Sequence, residues 1–173
     1  MAIFRLKEKI PNIDPSTYVF PSATLIGNIV VDKQCFIGPG VILRGDKNKI
    51  TIGEETIIQD QVVIHTEEEF STTIGKRVLI GTGSILHCEC IEDDASIGLG
   101  VVLGMGAKIR TGATVINGSL VPQMKEIAAR TTVAGIPAKE VENANVINMA
   151  VNQFSILRVD LREIYRTQLE RLL

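Results

Sequence analysis

Aliphatic residues recur along the chain at intervals of six. Ile74, Ile80 and Leu86 are in step, and after one interval of five the series continues through Ile91, Ile97, Leu103, Ile109, Val115 and Val121. Upstream, Ile52, Ile58 and Ile64 form one set, and Ile26, Val31, Ile37 and Leu43 another. Glycine follows many of these positions, at Gly27, Gly38, Gly53, Gly75, Gly81, Gly98 and Gly104. This is a hexapeptide repeat with one inward aliphatic residue per hexad. A hexad cannot fold alone, because its apolar side chain needs neighbours above and below. Three hexads make one triangular coil, and consecutive coils lie about 4.8 Å apart, the spacing of hydrogen-bonded strands. The expected fold is mainly β, a parallel solenoid over about residues 10–142. An ordinary β-sandwich would not need aliphatic residues held in register with recurrent glycine.

The period changes after "VAGIPAKEV", residues 133–141. Ile147, Ala150, Val151, Phe154, Leu157, Leu161, Ile164, Tyr165, Gln168 and Leu172 follow a helical spacing, mostly apolar on one face. A C-terminal helix over about 144–172 is expected to pack along the solenoid. Its Arg158, Arg162, Glu163, Arg166, Glu170 and Arg171 should form a solvated or subunit-facing surface. No long linker or low-complexity stretch interrupts the chain, so residues 1–173 read as one domain.

Composition sharpens this picture. Hydrophobic residues make up 45% of the 173 positions but aromatics only 4%, with no Trp, so the core must be aliphatic. A net charge of −2 offers no basic field to nucleic acid or an anionic membrane surface. No stretch approaches the ~20 apolar residues of a membrane span. The start, "MAIFRLKEKIPNID", does not read as a signal peptide, because Lys and Glu interrupt it before an apolar run forms. The odd set Cys35, Cys88 and Cys90 then reads as reduced thiols in the cytoplasm. "CEC" without a second cysteine pair reads as buried or bystander rather than as a metal site.

The register also places chemistry. Ile52, Ile58 and Ile64 occupy three successive sides of a coil, and Ile74, Ile80 and Leu86 the same sides one coil later. His65 follows Ile64, His87 follows Leu86, and Arg44 follows Leu43, so the three form a column at one corner. Two insertions, "RGDKNK" and "TEEEFSTT", leave the repeat just after column residues and bring Asp46, Glu67, Glu68 and Glu69 nearby. Insertions in a solenoid gather on the binding face. Two stacked imidazoles can turn nitrogens toward one divalent ion at the about 2.0–2.1 Å that zinc requires. The competing role is turn capping and packing; the column favours a site. Thr82 lies two past Ile80, in register with Asp60, so Gln59, Asp60 and Thr82 share a second corner. In one subunit that corner is remote from the histidines, and a threefold oligomer would bring the two corners together.

"LRGDKNKITIGEETIIQDQVVIH", "IGTGSILH", "IGLG" and "VAGIPAK" resemble the γ-class carbonic anhydrase group of hexapeptide-repeat proteins over about residues 10–142. The resemblance implies a left-handed parallel β-helix with a C-terminal α-helix, assembled as a homotrimer. The handedness comes from the resemblance, since parallel crossovers are generally right-handed. It also implies a zinc or iron(II) ion between subunits, held by three histidines. His65 and His87 match the two from one subunit, and Thr82 occupies the position of the third, from the neighbour. Arg44 and Asp46 match the pair that supports the interface and site. Gln59 and Asp60 match the pair whose Gln orients hydroxide and substrate. Glu68 falls where some members carry a proton-shuttling glutamate, and Lys47 where some active members have an acidic residue.

The implied reaction is hydration of CO2 to bicarbonate. Thr is a poor ligand for zinc, and catalytic zinc sites normally have three protein ligands plus water. Weak metal binding and low or absent activity are therefore expected, unless waters or a carboxylate such as Asp60 fill the gap. Two other classes stay open. One is a hexapeptide acyltransferase using acyl-CoA, with His65 or His87 as general base. The other is a non-catalytic trimeric scaffold.

Overall fold

In the computed structural model, which describes residues 2–142 and 161–170, the hexads fold into a three-sided parallel solenoid. Two long strands, Thr24–Val31 and Ile42–Ile52, turn a corner and serve two sides. The first side continues from them through Val63–His65, Ile85–Leu86, Val102–Leu103 and Leu120–Val121. The second continues through Thr72–Ile74, Cys90–Ile91, Lys108–Ile109 and Glu126–Ile127. The third runs from Tyr18–Val19 to Thr132–Ala134, where an antiparallel pairing with Lys139–Glu140 ends the parallel ladder.

Alternation within each short strand decides what is buried. Leu43 opposes Ile64, Ile64 opposes Leu86, Leu86 opposes Leu103 and Leu103 opposes Val121. Each of these five is at most 1% exposed. Ile58, Ile80, Ile97 and Val115 form the equivalent column on the third side. The expected member Ile26 does not belong to this set. Leu25 is the buried residue and opposes Leu43, while Ile26 is half-buried and opposes Arg44. Leu25, not Ile26, keeps the interval of six back from Val31. The glycine after Ile26 marks something else: at Gly27, φ is +82°, and a Cβ would lie 2.5 Å from the Gly45 carbonyl oxygen. It permits a close approach of two adjacent strands at the corner.

The two insertions stay near the solenoid wall. Gly27 opposes Gly45 and Ile29 opposes Ile50, so residues 46–49 bulge from the ladder. The second insertion is stitched to that bulge through Asn48. Its amide N–H donates to Thr66 Oγ1 at 2.9 Å, and its side-chain oxygen accepts from Ser71 Oγ at 2.8 Å.

Part of the expected C-terminal helix is described, at Leu161–Thr167. Tyr165 packs against Tyr18, Phe20 and Phe36 with ring centroids 5.6–5.9 Å apart. Arg162 and Arg166 donate to the carbonyls of Gln34 and Ser16, so these two side chains lean on the solenoid rather than forming a purely solvated face. The rest of the expected helix, at 144–160 and 171–172, lies outside the described residues, and residues 168–170 are not helical.

Candidate metal centre

Because Leu43, Ile64 and Leu86 point inward, the residues after them turn out at the corner. Arg44 opposes His65 in the ladder, and His87 follows one coil on. The His65 and His87 rings lie 3.8 Å apart between centroids, tilted by 36°. Arg44 Nε sits 3.2 Å from Asp46 Oδ2. The expected column is thus present, with its guanidinium held by a carboxylate of its own chain.

A further residue joins it. Thr66 is buried and faces inward, so His65 and Glu67, one step either side, face outward together. Glu67 Oε1 lies 3.7 Å from His65 Nε2, while Glu67 Oε2 accepts a 2.8 Å hydrogen bond from Lys47 Nζ. Single donor atoms of His65, Glu67 and His87 all fall within 4.8 Å of one another. The sequence signal was available: a carboxylate two residues from a histidine in an extended segment shares its face. Glu68, favoured by family position, is exposed, and its carbonyl oxygen accepts from Asn48 Nδ2 at 3.3 Å.

The donor set suits a cation. Burial first, then the neighbouring His87 and Arg44, lower the His65 pKa, which favours its neutral imidazole. The hydrogen bond from Lys47 holds the Glu67 carboxyl below its usual range. Both shifts run toward the deprotonated form that metal ligation needs. His65 Nδ1 is buried and has no hydrogen-bond partner among the described residues. An unpartnered nitrogen on a ring whose Nε2 faces a carboxylate, with a second imidazole 3.8 Å away, is compatible with a cation at this corner.

The remaining expected residues lie at the other corner. Thr82 donates from its amide and hydroxyl to Gln59 Oε1, at 3.2 and 3.3 Å, and Gly83 N donates to the Asp60 carbonyl. The structure thus separates the expected site into Arg44, Asp46, His65 and His87 at one corner and Gln59, Asp60 and Thr82 at another. Cys88 belongs to neither. It is 1% exposed in the core, and burial pushes its thiol up to about 12. Cys90 is half-buried, and burial raises its pKa as well. Neither is a ready thiolate ligand.

A left-handed parallel β-helix with stacked corner imidazoles defines a hexapeptide-repeat protein. No family model matches the chain. It is 36% identical over 138 residues to gamma carbonic anhydrase 2, mitochondrial, of Arabidopsis thaliana, covering 76% of this chain and 50% of that one. It is 33% identical over 143 residues to the carnitine operon protein CaiE of Proteus sp., covering 83% and 73%. A crystal structure of a hexapeptide transferase family protein from Anaplasma phagocytophilum superposes with a TM-score of 0.84 at 30% identity, over 95% of this chain and 98% of that one. The chain belongs to the γ-carbonic anhydrase-like hexapeptide-repeat family. It spans about half the length of the plant relative. Among the described residues no helix is long and apolar enough to cross a membrane.

Proposed function

We propose that the chain hydrates CO2 to bicarbonate at a metal centre built on His65 and His87, at a low rate. The observation that carries this reading is the pair of corner imidazoles 3.8 Å apart, one of them with an unpartnered buried nitrogen. When bound, a zinc or iron(II) ion supplies Lewis acidity that lowers the pKa of a coordinated water to about 7. His65 and His87 hold the ion. Arg44, held by Asp46, fixes the interface beside the site. Gln59 and Asp60 orient the reacting oxygen from a neighbouring subunit, and Glu68 carries the proton to solvent.

This division of labour needs a homotrimer, and one surface supports it. The side between the two corners presents Ile42, Ile85 and Val102 outward, 40%, 44% and 37% exposed, with half-buried Val63 and Leu120 in the same ladder. Burying this apolar face against other copies brings one subunit's Gln59 corner toward the next subunit's histidines. Ile85→Glu is expected to yield monomers by light scattering with unchanged far-UV circular dichroism. A trimer of undiminished stability in that variant would refute the arrangement.

The direct test is metal content and CO2 hydration by stopped flow, on untagged protein after zinc titration. We expect bound metal and slow hydration, with metal affinity lowered at least about tenfold in His65→Ala, as for disturbed metal sites generally. The Anaplasma neighbour, a hexapeptide transferase family protein by name, favours a transferase as the second reading, which we take as acyl transfer from acyl-CoA with His65 or His87 as general base. CoA binding without metal or hydration would select it. Absence of all three in an intact trimer would select the scaffold.

A further inference from the structure

We propose that Glu67 is the third protein ligand of the corner metal, so that one subunit completes the site with two imidazoles and a carboxylate and Thr82 takes no part. The inference rests on reading the corner as a metal centre, and departs from an interface site in drawing every protein ligand from one chain.

Four observations support it. Glu67 reaches the pair from the segment that carries His65, since the buried Thr66 between them sets His65 and Glu67 on one face. Thr66 is itself pinned, accepting from the Asn48 amide at 2.9 Å and donating to the Asn48 carbonyl at 3.1 Å. The carboxylate is already divided in its duties: Oε2 is taken by Lys47 and Oε1 faces His65. Ligating carboxylates are commonly hydrogen-bonded from behind in this way, which fixes their direction. Lys47 is therefore a positioning residue. Finally, Thr82 is engaged elsewhere, its hydroxyl donating to Gln59 Oε1.

Two imidazole nitrogens and one carboxylate oxygen suit divalent first-row ions such as zinc, iron(II) and cobalt(II), rather than copper(I) or calcium. Three protein ligands leave positions for water and substrate.

The test is a cobalt(II) titration of the full chain, followed by visible absorption and repeated with zinc in competition. Wild-type protein should bind one ion per chain. Glu67→Gln and Glu67→Ala should each weaken binding at least about tenfold, since even supporting residues behind a ligand are worth 10–100-fold. Lys47→Met should weaken it in the same direction but less. Thr82→Ala, and Glu69→Gln as a charge control, should leave it unchanged. Unaltered affinity in both Glu67 variants, or a loss in Thr82→Ala equal to theirs, overturns the proposal. Wild-type protein that takes up no cobalt overturns it together with the metal-centre reading. Cobalt held through Glu67 with no CO2 hydration overturns the proposed reaction and leaves the ligand assignment standing.

Discussion

Thr82→His, introduced into Glu67→Gln, is expected to raise zinc affinity at least about tenfold, the scale on which metal sites respond to gained or lost support. Removing Glu67 leaves His65 and His87 as the protein donors. An imidazole at position 82 restores a third, provided that another subunit's corner faces the pair. The site can accept it. Thr82 is exposed, and it is followed by Gly83, with φ +73° and open space around its missing Cβ. The gain must depend on assembly, because residue 82 and the histidines occupy different corners of one solenoid. Adding Ile85→Glu to the double variant should therefore abolish the gain, read by competition against a colorimetric zinc chelator. A gain that survives in monomers would show that position 82 reaches the pair within one chain, against the corner assignment. No gain in a trimer would show that assembly does not bring these corners together.

The residues that were legible from the chain alone were those fixed by periodicity. The hexad count places Leu43, Ile64 and Leu86 inward, and that in turn places Arg44, His65 and His87 in one column, because strand alternation leaves no other choice. The Ile26 assignment failed where glycine served as a marker in place of the interval. Gly27 answers to the Gly45 carbonyl of the next coil rather than to the hexad. Glu67 was obscured for a different reason. "TEEEFSTT" has no repeat period, and three adjacent glutamates differ in direction only through the burial of Thr66 and its bonds to Asn48. Those bonds join two insertions 18 residues apart, a contact that periodicity does not encode. Arg162 and Arg166 show the same limit. Helical spacing puts them on the polar side, but carbonyls at Gln34 and Ser16 take up their charge-bearing ends.

Ile64→Ala is expected to cost about 2–5 kcal/mol of stability, the range for deleting a large buried aliphatic side chain. Ile64 is fully buried between Leu43 and Leu86, and in a stacked solenoid each coil's main contacts are with its neighbours. The lost side chain therefore leaves a void between two coils that cannot close without moving their backbones. Ile97→Ala removes an equally buried residue from the third side and should cost a similar amount. The two should differ in their effect on the site. Ile64 is bonded to His65, and its neighbour Leu86 to His87, so relaxation around Ile64 moves one imidazole relative to the other. Ile97 adjoins no member of the column. We expect urea denaturation followed by circular dichroism to show comparable losses in both variants. Cobalt titration should show weakened binding in Ile64→Ala alone. Equal loss of metal affinity in the two would mean that the stack as a whole, and not the local register at Ile64 and Leu86, holds the imidazole pair.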